Sequence, residues 1–296
     1  MTTEATLLAQ IYADPTADGP RLVYADYLQE RGDPRGELIA LQILNRDRSR
    51  ELAGPPLRGP HPGAATLLRT GLARERELLE RHAKEWLGPL AAVIDLTPNA
   101  QTTFERGFLA IAEIVRDAGP LLPPLLHDPA WSTVEELRGW DSDIVLARAP
   151  LPGLRRLQSM LPIDRLAVLA QRPTPLANLV ELVVAAFAPF SSEERAYLGH
   201  CEGLPGLREL VIAANYALTI DDILWLVESP VARRVERLVI RRPGRPRTAD
   251  AEEQRAVRAI ADVLVRTTAT VPSLAITTPA APIELVRAAS GFYRVS

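Results

Sequence analysis

The side chains with chemical reach are few in this chain. Cys201 is the one thiol among 296 residues, and His200 stands beside it. An imidazole can activate a thiol as a nucleophile. Consecutive residues on a helix point about 100° apart, so this pair would not meet. Cys201 reads instead as a small hydrophobe under a helix layer. His61, His82 and His127 are scattered, with no i,i+4 pair of the kind that holds zinc. A single cysteine also excludes an intrachain disulfide and a multi-cysteine zinc site. Neither G-x-x-x-x-G-K-[ST] nor G-x-G-x-x-G occurs, so the phosphate-cradling loops are absent. We expect no catalytic residue, no metal and no cofactor.

Arginine is the richer signal. Lys84 is the only lysine, and every other cation is Arg. Base composition of the genome explains such a bias; retention of Arg for bidentate pairing with carboxylates or phosphates is the other reading. The cations crowd at Arg233, Arg234, Arg237, Arg241, Arg242, Arg245 and Arg247, with Pro243 and Pro246 between them. Three readings stand for this segment: a phosphate-binding loop for nucleic acid, a contact for an acidic protein surface, or a solvated loop. The net charge of −3 and the lack of aromatic residues for base stacking weigh against nucleic acid.

The element that would position these residues is legible at Leu207, Leu210, Ile212 and Asn215, spaced L-x-x-L-x-L-x-x-N. This resembles the core of a leucine-rich repeat, whose short strand lines one wall of a stacked solenoid. The same frame begins at Val134, Leu154, Leu179, Leu207, Val235 and Val271, with spacings from 20 to 36 residues. The first two units carry Gly139 and Ser159 at the third anchor, and only one unit keeps the Asn, so the array is degenerate. Helical stretches are predicted over 191–201, 219–228, 251–266 and 281–290. Strands alternating with helices at this period imply parallel strands on a concave wall and helices on a convex one.

Side chains alternate across a strand, so the frame sorts its outward positions into three lanes. The first holds Glu136, Arg156, Glu181, Glu209 and Arg237; the second Arg138, Gln158, Val183, Val211 and Val239; the third Trp140, Met160, Ala185, Ala213 and Arg241. Trp, Met and Arg beside small apolar residues suit a protein partner. The candidate partner-binding residues are Arg138, Trp140, Arg156, Met160, Glu181, Glu209, Arg237 and Arg241. The other reading is that the N-terminal domain or a neighbouring chain covers the Val/Ala wall, since such a wall bare in water is unusual.

Ahead of the array, Leu7, Leu8 and Ile11 share a face over 4–13, and Asp18-Gly19-Pro20 opens a second helix with Pro in its first turn. Gly32 stops that helix, and Asp33 caps a third. Three helices in so short a stretch bury little surface, so they are expected to pack on later parts of the chain. Ile11, Asp14, Pro15, Tyr24, Ala25, Asp26, Arg31, Gly32, Asp33, Pro34, Gly36 and Glu37 belong to a dense match. This stretch closely resembles a bacterial repeat-companion domain, a module that stands before leucine-rich-repeat-like arrays. The resemblance implies an N-terminal partner for the array and carries no catalytic residue with it. Asp26, Arg31, Arg35 and Glu37 read either as a ligand site or as caps and ion pairs latching a helical hairpin, and the latch is favoured.

A Pro/Gly-rich linker is expected over 47–65, and helix returns over 64–87. Phe104 to Ile114 reads as a first strand, with Glu105-Arg106-Gly107-Phe108 similar to the segment ahead of the repeats in the same family. The expected architecture is α/β: an all-α domain over 1–46 and a leucine-rich-repeat-like solenoid over 66–296, whose residues 66–118 cap it. No basic leader or long apolar run is present, so a cytoplasmic protein with no membrane segment is expected. The function expected is a non-catalytic adaptor binding a protein through its concave face. The alternative is a nucleic-acid-binding accessory protein using Arg233 to Arg247.

Overall fold

The computed structural model describes residues 3–53, 64–170, 172, 174–187, 190–198, 201, 204–214, 216, 219–241, 251–266, 271–277, 282–288 and 290–295. The fold is mixed α/β, and its sheet is open rather than closed into a barrel. The chain forms two compact units, residues 1–135 with 149–153 and residues 136–148 with 154–296.

The first unit begins with α1 (Thr3–Ala13), α2 (Gly19–Gln29), α3 (Pro34–Ala53) and α4 (Ala64–Leu87). The stops are those the sequence announces: Gly32 takes φ +71°, and the Asp33 carboxylate accepts from the Arg35 N–H at 2.8 Å. At Gly36 a Cβ would lie 2.6 Å from the Ala25 carbonyl, so only glycine lets α2 and α3 approach this closely. Residues 47–53, expected in the linker, continue α3; the prolines and glycines of that stretch lie over 54–63, outside the described residues.

The single strand expected over 104–114 is a hairpin. β1 (Thr103–Glu105) pairs antiparallel with β2 (Phe108–Glu113). Arg106 and Gly107, both at positive φ (53° and 78°), make the two-residue turn. Such turns match the twist of the strands they join, and the period-2 pattern alone does not reveal where the chain reverses. Phe108 from β2 is buried in one cluster with Ile11, Tyr24, Leu28, Ile39 and Ile43. The helices therefore close their core only with a residue far along the chain, and the compact unit extends well past residue 46.

The second unit alternates strands and helices. Its strands are β3 (Glu136–Arg138), β4 (Arg156–Pro162), β5 (Glu181–Ala186), β6 (Glu209–Ala214), β7 (Arg237–Arg241) and β8 (Ser273–Thr277). Between them run α5 (Ser142–Arg148), α6 (Ala167–Ala170), α7 (Ser192–Leu198), α8 (Ile220–Glu228) and α9 (Ala251–Leu264). Parallel strands need such crossovers, and β3 to β8 are parallel in chain order. The register aligns Glu136, Arg156, Glu181, Glu209, Arg237 and Ser273, the third position of every predicted frame. The apolar anchors Leu157, Leu182, Leu210, Leu238 and Leu274 form the next row and are all buried. Thr219 and Asp222 cap α8 reciprocally.

One expectation fails at the far end. The sequence predicts helix over 281–290, but β9 (Pro282–Arg287) pairs antiparallel with β8, and β10 (Tyr293–Val295) pairs antiparallel with β9. Pro282-Ile-Glu-Leu-Val-Arg287 is a short apolar run that fits either period. The open edge of β8 decides, because a strand there satisfies backbone groups that a helix would leave exposed.

Candidate interaction surface

Because register aligns the third frame positions, the first lane forms a continuous polar row across the second unit. Glu136 is 2% exposed on its side chain and is clamped by two guanidiniums, Arg138 on its own strand and Arg156 on the next, the latter at 2.7 Å. Burying a carboxylate without such partners is costly. Gln158 donates to Glu181 at 3.1 Å. Glu181 and Glu209 face each other across adjacent strands. Burial first, and then the Glu209 charge, hold the Glu181 carboxyl above its ordinary range. Arg237 stands 3.9 Å from Glu209 and 3.6 Å from Glu284. Glu284 comes from β9, aligned with Ala275; the helix expected over 281–290 gives it no place in the lanes.

The apolar stretch of the second lane is buried rather than bare. Val183, Val211, Val239 and Ala275 are only 5–9% exposed and cluster with Ala213. The apolar wall is thus no bare surface, and the charged row beside it is what reaches solvent. Arg156, Glu209, Arg237 and Glu284 each keep between 32 and 48% of their side-chain exposure.

The third lane is broken. β4 pairs Gln158 with Val183 and then Leu161 with Val184, so Ser159 and Met160 form a bulge, and Pro162, not Met160, stands opposite Ala185. A two-residue bulge leaves no mark on a linear repeat frame. Trp140, two residues past β3, and Phe187, one past β5, are each 50% exposed, and Arg241 at the end of β7 is exposed as well. Alternation along β5 carries the face through Glu181, Val183 and Ala185 to Phe187, which the lane scheme stopped short of.

The arginine segment is divided. Arg237 and Arg241 belong to β7, while Arg233 and Arg234 are exposed in the turn before it. Arg242, Arg245 and Arg247 lie outside the described residues.

Elsewhere the polar candidates serve structure. Arg31 lies 3.6 Å over the Tyr27 ring and donates to the Tyr27 carbonyl. Arg35 donates to the Gly107 carbonyl at 3.0 Å and lies 4.4 Å from the Phe108 ring centre. Arg74 grips Glu37 through two 2.7 Å bonds. Asp26 is exposed. The four do not converge on one site, and among the described residues the expected Arg–carboxylate latch between α2 and α3 is not formed either: the ion pair of Arg74 with Glu37 joins α3 to α4. Cys201 is buried, and burial pushes its thiol up to about 12, the reverse of an activated nucleophile; His200 lies outside the described residues. Among the described residues no group of three His, Cys, Asp or Glu could hold a metal, and no helix is long and apolar enough to cross a membrane. No family model, no curated protein and no solved structure matches the chain.

Proposed function

We propose that this chain is a non-catalytic adaptor, a repeat-companion module followed by a degenerate leucine-rich-repeat-like solenoid, and that it binds a protein partner through the polar face of β3 to β8. One observation carries the reading: five successive strands, β3 to β7, hold Glu136, Arg156, Glu181, Glu209 and Arg237 in one row. A row of mixed charge, with Glu181 and Glu209 adjacent between Arg156 and Arg237, selects a partner of complementary charge order, which sets specificity and approach rate more than raw affinity. The affinity is assigned to Trp140, Phe187 and Arg241 at the carboxyl ends of the strands, since exposed aromatics and Arg are the residue types that dominate interface energies.

The test is affinity capture from the native host, with cross-linking of the recovered partner to map its footprint. Wild-type chain is compared with a Trp140→Ala, Glu209→Arg double variant of unchanged circular dichroism and urea midpoint. We expect a stoichiometric protein that survives nuclease, cross-links to this face and is at least about tenfold less enriched by the variant. A partner that the variant retains sinks the reading. Recovery that depends on nucleic acid and collapses steeply with salt moves the function to the arginines around Arg233 and Arg234.

A further inference from the structure

A cleft of about 450 Å³ opens in the first unit between α4 and the segment 95–104, and nothing in the interaction surface uses it. Its size lies in the range of small-molecule sites. One wall is a side of α4, where residues 75, 79 and 83 follow at i, i+4 and i+8, flanked by 80 and 84.

The opposite wall is pinned. Asp95 donates its N–H to the Glu113 carbonyl at 2.8 Å, and the Gln101 N–H donates to the Glu113 carboxylate at 2.6 Å. Thr97 closes the bend by donating its N–H to Asp95 at 2.8 Å. At the floor, the buried Gln42 amide donates to the Phe104 carbonyl and accepts from the Gly107 N–H. The cleft is therefore held open by hydrogen bonds at both ends of one wall.

Its lining has two characters. Leu79, Ala83, Leu96 and Phe104 are apolar, and Leu96 is left 39% exposed there. Glu75, Glu80 and Asp95 bring three carboxylates against one ammonium, that of Lys84. Glu75 is oriented by the Asn45 amide, which is itself buried. Neither Glu80 nor Lys84 has an ion-pair partner among the described residues. Glu75 and Asp95 are half-buried and Glu80 is exposed at the rim; an excess of one sign along a cleft raises the local concentration of ions of the other sign, and apolar area rewards whatever the ion carries with it.

We propose that this cleft is a binding site for a small protonated organic amine with an apolar body. The proposal rests on the first unit alone and stands apart from the partner face. A carboxylate of the same shape would meet three like charges, and a bare ammonium ion would leave the apolar wall unused.

Lys84, the chain's single lysine, makes the test direct. Reductive methylation of the intact protein with ¹³C-formaldehyde marks Lys84 and the N-terminal amine only, and a pH titration separates the two signals. Phenethylamine, 3-phenylpropionate and methylammonium are then titrated at constant ionic strength. We expect a saturable shift of the Lys84 signal with phenethylamine and at least about tenfold weaker responses to the other two. Glu80→Gln with Asp95→Asn should weaken phenethylamine about tenfold while the fold is unchanged. Three outcomes each overturn the proposal: no saturable shift, an equal response to 3-phenylpropionate or to methylammonium, or a folded double variant that binds as the wild type does. The ligand comparison is made on wild-type protein, so it decides even if the variant fails to fold.

Discussion

The most consequential single residues are those whose partners lie far along the chain. Arg21 is 1% exposed, donates to the Pro15 and Arg106 carbonyls at 2.7 and 3.2 Å, and lies 4.7 Å from the Phe108 ring centre. In sequence it is one more cation at the start of an amphipathic helix. Burial, together with Arg106 nearby, pulls its guanidinium down to about 10. Gly107 shows the same dependence on distant contacts. Its φ is +78°, and a Cβ there would stand 2.1 Å from Cγ1 of Ile39. Gly107→Ala combines a left-handed strain of about 1–2 kcal/mol with an overpacking cost of about 1–3 kcal/mol. We expect a loss above about 2 kcal/mol by urea unfolding. A loss within experimental error would mean that the turn is not held against α3.

At the scale of the element, the polar row of the second unit contains a like-charge neighbour pair, Glu181 and Glu209, and this has a pH signature. The folded state holds the Glu181 carboxyl above its ordinary value, chiefly through burial. Folded protein therefore binds that proton more tightly than the unfolded chain. Stability falls as pH rises through the window between the ordinary and the raised value, and the penalty is complete above it. Glu181→Gln removes the penalty while its amide oxygen still accepts from Gln158. We expect the variant to be more stable than wild type at pH 7 by up to about 1 kcal/mol and to match it at a pH below the ordinary carboxylate range. A stability difference independent of pH would mean that the row is fully neutralised. Asp18 behaves in the opposite sense: its carboxyl is held low, first by the Arg46 hydrogen bonds, so its contribution is present above the ordinary carboxylate range and is lost as pH falls.

At the scale of the whole molecule, the division into two compact units gives a prediction about cooperativity. Calorimetry should resolve more than one transition, because a chain of this length need not unfold as one block. Leu210 is fully buried in β6, and Leu210→Ala should remove about 2–5 kcal/mol from the second unit. Hydrogen exchange should then rise across β5 to β8 and not in α1 to α3, while Gly107→Ala should do the reverse. Uniform loss of protection in both variants would show a single cooperative block.

Much of this was determined by the sequence alone, wherever a local rule sufficed. Leu-x-x-Leu spacing placed β3 to β8 and the register of their first positions, up to the bulge in β4, because strand periodicity and the buried anchors admit one alignment there. Gly32 and Asp33 announced the break between α2 and α3, because caps and turns are short-range chemistry. Tertiary structure decided whatever depended on a partner remote in sequence. It folded Phe104–Ile114 into a hairpin whose Phe108 completes a helical core, and it made residues 282–287 a strand because β8 had an edge to cover. It placed Met160 in a bulge and closed the Val/Ala wall that composition left open. It also brought Lys84, Glu80 and Asp95 to one cleft, since no periodicity relates a helix to the loop that happens to face it.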